Sequence, residues 1–194
     1  MDWGYNSPGC VLWWLVLPDH AFHIIREYKF RQMTSEEVAS QWHKISKELG
    51  VKPVYVSADP AMWQKTGASA RGESIAETLI RRKLPMRKSD NDRFNGWQRV
   101  HELLRPMSVE RPWLTVDPSC SYLIRTIPAM LSDKNNPDDI DTTKDDHAVD
   151  ALRYGAMSRP MGYRDKAIAR KSPQRFSPAW LKSLLPREDA GVLA

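Results

Sequence analysis

The 194-residue sequence predicts an α/β fold: a mixed central sheet that starts as an antiparallel meander, continues through crossover strands and is flanked by helices. Three observations carry this expectation. Short strand-like segments separated by turn formers fill the chain from Met1 to Phe30. A capped amphipathic helix and a second β-rich run follow, which is the strand–helix–strand unit of α/β folds. Helical and extended patterns then alternate as far as Met157, where the texture changes.

Met1 to Tyr5 reads as a short strand, Asn6-Ser7-Pro8-Gly9 as a turn, and Cys10 to Leu17 as a β-rich apolar strand. Pro18-Asp19-His20 turns the chain again, and Phe22 to Phe30 is a third strand with partial alternation. Thr34-Ser35-Glu36-Glu37 is a capping box. It opens a helix to about Leu49 with Val38, Trp42, Ile45 and Leu49 on one face, and Gly50 stops it. Val51 to Ala58 is a short β-rich run ending at Asp59-Pro60.

Glu73 to Lys83 reads as a helix with Ile75, Leu79 and Ile80 as its apolar stripe. Asp90 to Leu104 reads as another, with Phe94, Trp97, Val100 and Leu104 inward. A strand over Trp113 to Val116 and a helix over Ser119 to Leu131, interrupted near Pro128, come next. Asn135 to Thr143 is a polar, acidic loop, and Lys144 to Met157 a helix packing through Ala148, Ala151, Leu152 and Gly155. Residues 1–158 are therefore expected to form one domain, and residues 159–194 a basic tail with prolines at 160, 173, 178 and 186. A short helix from Pro178 to Leu185 fits inside that tail.

Composition excludes several classes. The chain is 41% hydrophobic and 27% charged, ordinary for a globular protein, and its longest apolar run, Val11 to Leu17, is far below the roughly 20 residues of a membrane span. That run also lacks the setting of a secretory signal. Two cysteines, Cys10 and Cys120, make neither a disulfide framework nor a zinc site, and read as reduced thiols. The net charge is +5 and the pI near 9.2, consistent with a polyanionic partner. Cations gather at Arg81-Arg82-Lys83, at Arg87-Lys88 and from Arg164 to Arg175, whereas carboxylates gather between Asp138 and Asp150. A basic surface around an acidic pocket suits phosphodiester chemistry, because cations bind the backbone and carboxylates bind metal.

Metal-assisted phosphodiester cleavage needs acidic side chains on rigid elements that meet at one or two divalent ions, roughly 4 Å apart when there are two. Hard oxygen ligands suit Mg²⁺ or Mn²⁺. Asp2 lies in the first strand, within Asp2-Trp3-Gly4-Tyr5. Asp59 follows Val54-Tyr55-Val56-Ser57-Ala58, at a strand's carboxyl end, where α/β sheets place ligands. Asp150 lies on the last predicted helix, where Asp146 and His147 share its face at spacings of four and three. Taken singly, an Asp after a strand is commonly a turn former, and Asp145 and Asp146 complement a helix dipole. Asp150, amid Val149, Ala151 and Leu152, is harder to explain that way, since a buried carboxylate without a partner is costly.

Together these motifs carry a resemblance. Asp2-Trp3-Gly4-Tyr5, Ser57-Ala58-Asp59-Pro60-Ala61-Met62-Trp63 and Asp145-Asp146-His147-Ala148-Val149-Asp150-Ala151-Leu152-Arg153-Tyr154 resemble the nuclease domain of the large terminase subunit of tailed bacteriophages, over Met1 to about Met157. The resemblance implies a ribonuclease-H-like fold and cleavage of concatemeric viral double-stranded DNA by two divalent cations, Mg²⁺ or Mn²⁺. Asp2 would be the bridging ligand, Asp59 the second and Asp150 the third, with His147 beside them and Asp146 a further possible ligand. It also implies a packaging ATPase domain preceding the nuclease, a small terminase subunit and the procapsid portal as partners, and the host bacterial cytoplasm as the location. The ATPase domain is missing from this chain, which is expected to be a nuclease-domain fragment, monomeric and without membrane association. Only Met1 precedes Asp2, so that end is expected to fray.

Lys65, Arg71, Arg81, Arg82, Lys83, Arg87 and Lys88 are candidate DNA contacts, weighed against solvated helix ends. Gly67 to Ser74 has the glycine spacing of a phosphate-binding loop, but Glu73 stands where lysine is required. Trp13, Trp14, Trp42 and Trp97 fall in core patterns, and Asp117-Pro118 reads as a turn before a helix. The rival readings are a Holliday-junction resolvase-like nuclease and a DNA-binding or docking module that is inactive as an isolated fragment.

Overall fold

The structure, a computed structural model, describes residues 1–65, 72–108, 111–131, 133, 139–140 and 145–159. Strand β1 (Gly9–Val16) and strand β2 (Phe22–Phe30) form the expected antiparallel hairpin. Helix α1 (Ser35–Glu48) starts at the expected capping box, with Thr34 Oγ1 accepting from Glu37 N and the Glu37 carboxylate accepting from Thr34 N at 2.8 Å. It leads to strand β3 (Val56–Ala58) and a 3₁₀ turn (Pro60–Trp63). Helix α2 (Ile75–Arg81) has a second capping box, Ser74 with Glu77. Strand β4 (Met86–Lys88) runs parallel to β3. After helix α3 (Arg93–Leu104), β5 (Pro106–Ser108) and β6 (Arg111–Pro112) make a small hairpin, and β7 (Leu114–Val116) pairs parallel with β2. Helix α4 (Ser121–Thr126) passes into a 3₁₀ turn (Ile127–Ala129) at Pro128, and helix α5 (His147–Met157) closes the described fold.

Met1 and Asp2 join the two main pieces of sheet. Asp2 exchanges both backbone hydrogen bonds with Cys10, at 2.9 and 3.0 Å, as an antiparallel pair. On the other side the Met1 amine donates to Ser57 O at 2.7 Å, and Asp59 N donates to Met1 O at 3.2 Å, as a parallel pair does. The order across the sheet is then β7, β2, β1, residues 1–2, β3 and β4. The expected fraying of this end is not what the structure shows. Met1 and Asp2 are 4% and 7% exposed, because backbone partners on both sides take up their polar groups.

Both faces of the sheet are covered. Cys10 and Phe22 face a core built with Trp97, Val100, Leu123, Ala148 and Leu152 of α3, α4 and α5. Val11, Trp13 and Phe30 face a second core with Val38, Trp42, Ala76 and Leu79 of α1 and α2. The partial alternation of β2 has a local cause. Trp13 pairs with Arg26 and Trp14 with Ile24, so Ile25 is a bulge. The extra residue flips the parity, and Ile24 faces one core while Tyr28 and Phe30 face the other.

Three inward assignments need correction: Phe94, Leu104 and Ile80 are exposed. In α3 the buried positions are Gly96, Trp97, Val100 and Leu103, since steps of three and four from Trp97 both satisfy an apolar helix pattern and only packing chooses between them. Strand β4 and the β5–β6 hairpin were not expected, because segments of two or three residues with basic side chains or proline carry no alternation. The last helix begins at His147 rather than Lys144; Lys144 itself, most of the acidic loop and the tail with its Pro178–Leu185 segment lie outside the described residues. Among the described residues no helix is long and apolar enough to cross a membrane.

Gly155 brings α5 onto the sheet. A Cβ there would meet the Trp14 ring at 2.5 Å. Gly155→Ala should therefore lower unfolding free energy by about 1–3 kcal/mol in a urea titration, despite the better helix propensity of alanine. Thr34→Ala, which removes the α1 cap, should cost about 1 kcal/mol in the same titration.

Candidate functional site

The pairing of Met1 with β3 sets the site. Asp2 sits in the middle of the sheet and Asp59 follows β3, so the two residues are neighbours at the same end of adjacent strands. Asp59 also does the local job of its residue type: Oδ1 accepts from Ala61 N at 2.9 Å and caps the 3₁₀ turn.

Packing of α5 against β1 brings the third motif over Asp2. His147, the first residue of α5, meets Asp2 Oδ2 through Nδ1 at 2.9 Å, across 145 positions of chain. Asp146 stands at the helix N-cap, its backbone oxygen accepting from Asp150 N at 2.8 Å. Its backbone is already helical, and its carboxyl feels the charge of Asp150 one turn on.

This neighbourhood is short of positive charge. Burial pushes the Asp146 carboxyl up to about 6, and the Asp150 charge adds to the rise. Burial likewise raises Asp2, against the opposing hydrogen bond from His147, and Asp150 repels it further. His147 is raised first by its hydrogen bond to Asp2, with burial opposing.

Asp150 is held differently. Its Oδ1 accepts from Arg153 Nε at 2.9 Å, while Arg93 Nη1 lies 3.6 Å from its Oδ2. Arg153 is fully buried, with its guanidinium 4.4 Å from the Tyr154 ring centre and 5.4 Å from that of Trp97. A Cβ on Gly96 would strike its Cγ at 2.7 Å, so a glycine makes room for the arginine. Arg93 Nε donates to both oxygens of Asp139, at 2.7 and 2.9 Å, and Trp97 Nε1 donates to Asp139 Oδ1 at 2.7 Å. Burial opposes ionisation of Asp139, but the Arg93 hydrogen bonds outweigh it and hold the group down at about 2. The sequence alone does not single out Arg93, Arg153 or Asp139. Arg153, three residues after Asp150 on a helix, had a readable signal; Arg93 and Asp139 meet only through tertiary packing.

The donor chemistry of Asp2, Asp59, Asp146 and Asp150 suits a hard divalent cation, since all four offer carboxylate oxygens and two of them, Asp2 and Asp146, are buried. The geometry is not closed: among the described residues no three His, Cys, Asp or Glu side chains converge to hold a metal ion. Asp150 faces two arginines, and one oxygen of Asp59 is spent on the turn.

The candidate DNA contacts separate in space. Lys88 pairs with Ala58 in the β3–β4 register, next to Asp59, with its ammonium 5.6 Å from the Trp63 ring centre. Arg87 stacks over Tyr55 at 4.6 Å, and Lys65 is exposed just beyond the 3₁₀ turn. Arg81, Arg82 and Lys83 end α2 just before β4 begins, at the far end of the strands from Asp59. Arg81 is committed to Glu36 and Glu73, at 3.0 and 3.1 Å, and Arg82 to Ser40 at 3.4 Å. Arg71 lies outside the described residues, as does most of the glycine-spaced loop. Asp117 accepts from Ser119 N at 2.9 Å, as a turn former does.

No curated protein matches the chain. Three solved structures share its fold, each at 18% identity. The large terminase of a thermophilic bacteriophage, in complex with ATP-gamma-S, gives a TM-score of 0.58 over 80% of this chain and 38% of its own. The P22 large terminase nuclease domain gives 0.58 over 86% and 82%, and the nuclease domain of the bacteriophage SPP1 large terminase, with bound Mn, 0.50 over 79% and 80%. This chain thus spans about two fifths of the thermophilic phage protein, 38% of its length. The family model of the terminase RNaseH-like domain matches residues 1–159, the whole stretch from the bridging Met1–Asp2 pair through α5, and the chain belongs to that family.

Proposed function

We propose that this domain is a metal-dependent endonuclease that cuts concatemeric viral double-stranded DNA during genome packaging. The observation that carries the reading is Asp2: a buried carboxylate at the centre of the sheet, beside Asp59 and hydrogen-bonded to the helix that bears Asp150. In this reading Asp2, Asp59 and Asp150 would hold two Mg²⁺ or Mn²⁺ ions, Asp2 as the shared ligand, with Asp146 available as a further oxygen donor. When bound, such ions activate the attacking water and stabilise the leaving oxygen. His147 orients Asp2 by holding Oδ2, which leaves the second oxygen free to ligate. Lys88 and Lys65, flanking Asp59, with Arg87 next to Lys88 in the chain, would bind DNA backbone, and Arg71 is proposed for the same role from the sequence alone; such contacts position a duplex without reading its sequence. Arg81, Arg82 and Lys83 would contribute less, being remote from Asp59.

The wider setting belongs to the same proposal. The complete protein would carry a packaging ATPase domain ahead of this one, work with a small terminase subunit and the portal of the procapsid, and act in the host bacterial cytoplasm; the isolated domain would be a monomer. A second reading, a DNA-binding module inactive in isolation, is favoured by one observation, the engagement of Asp150 by arginines.

Incubation of supercoiled plasmid with the purified chain and Mn²⁺ should yield nicked and linear DNA, and chelation should stop it. Asp2→Ala, Asp59→Ala and Asp150→Ala should each reduce the rate by roughly 100-fold or more, and His147→Ala by about 10–100-fold. Absence of cutting with every divalent ion tried, alongside retained DNA binding, would favour the inactive module; cutting confined to four-way junctions would point to a resolvase. Lys88→Ala should weaken duplex binding and lower the slope of log affinity against log salt by about 1.

A further inference from the structure

We infer that Arg93 is a built-in counter-cation that occupies Oδ2 of Asp150 while no divalent ion is bound and yields that oxygen when one arrives; this rests on the metal-dependent reading above. The two oxygens of Asp150 are held unequally. Oδ1 has a well-formed hydrogen bond from Arg153 Nε at 2.9 Å, and Arg153 is 0% exposed and enclosed by Trp97, Tyr154 and Gly96. Among the described residues, Oδ2 has only the Arg93 contact of 3.6 Å, beyond hydrogen-bond range, from a side chain 32% exposed.

Arg93 also has somewhere to stay. Its Nε is fastened to both oxygens of Asp139, so leaving Asp150 would strand neither its own charge nor that of Asp139. Its buried Nη2 has no hydrogen-bond partner among the described residues, so the guanidinium is not docked to Asp150 in the two-pronged manner of a dedicated pair. Asp150 needs a cation in either state. It lies close enough to Asp146 and Asp2 to repel both, and Arg153 covers only its Oδ1, so a cation at Oδ2 offsets that repulsion. A divalent ion delivers more charge to the same oxygens and repels the guanidinium from them. The open arrangement of the carboxylates is then the resting state, with Arg153 keeping Asp150 aimed and Arg93 neutralising it.

Isothermal titration of the purified chain with Mn²⁺ tests this, with thermal melting in parallel. Arg93→Gln should bind Mn²⁺ roughly threefold to tenfold more tightly than the unaltered chain, melt at lower temperature without metal and gain more from Mn²⁺. Arg93→Lys should restore the original affinity. Asp139→Asn acts in the opposite sense: with its other anchor gone, Arg93 is left to Asp150, and Mn²⁺ affinity should fall. If Arg93→Gln does not fold, the sign of the Asp139→Asn effect decides. Unchanged or weaker binding by Arg93→Gln, or unchanged or tighter binding by Asp139→Asn, overturns the inference while the metal reading stands. No Mn²⁺ binding by the unaltered chain overturns both.

Discussion

Four backbone hydrogen bonds made by Met1 and Asp2 are the joint on which the rest of the structure depends: one to and one from Cys10, one to Ser57 and one from Asp59. Without them the β1–β2–β7 and β3–β4 pieces would be separate sheets. With them there is one continuous sheet, a core on each face, and a carboxylate buried at its centre. The same bonds decide chemistry. They set Asp2 beside Asp59, and by burying Asp2 they raise its pKa and make a counter-charge worth having.

Helix α5 is the second determinant, and it is seated by small residues. Gly155 admits the edge of Trp14, and Gly96 on α3 admits Arg153. The close approach brings His147 to Asp2 and encloses an arginine that no solvent reaches. A fully buried guanidinium is tolerable because Asp150 pairs with it and two aromatic rings flank it. The helix therefore presents carboxylates of two kinds: Asp146, short of positive charge, and Asp150, supplied with it by Arg153 and Arg93.

Charge on the surface follows the same division. Cations that look equivalent along the chain differ in what they face. Arg81 is consumed by Glu36 and Glu73 in tying α2 to α1, a structural task, whereas Lys88 stands beside Asp59 because the β3–β4 register puts it there. The α4 start shows the reverse case, a helix whose cap comes from elsewhere: Cys120 offers no side-chain cap, and Glu27 of β2 accepts from Tyr122 N and Leu123 N at 2.7 and 2.8 Å.

Local chemistry was legible in the residues themselves. The Thr34 box, the turn at Asp117, the stop at Pro128 and the order Asp2, Asp59, Asp150 all follow from side chains acting on their near neighbours, and the three acidic motifs sufficed for the family. What only the tertiary structure decided involves partners far apart in the chain. The security of Asp2 comes from Cys10 and Ser57, the phase of α3 from the core it meets, and the parity change in β2 from a bulge opposite Trp13 and Trp14. Arg93 and Asp139 gain meaning only because Asp139 holds Arg93 beside Asp150. Capping and turns are settled over three or four residues; the ionisation and availability of a buried carboxylate depend on every charge that packs against it.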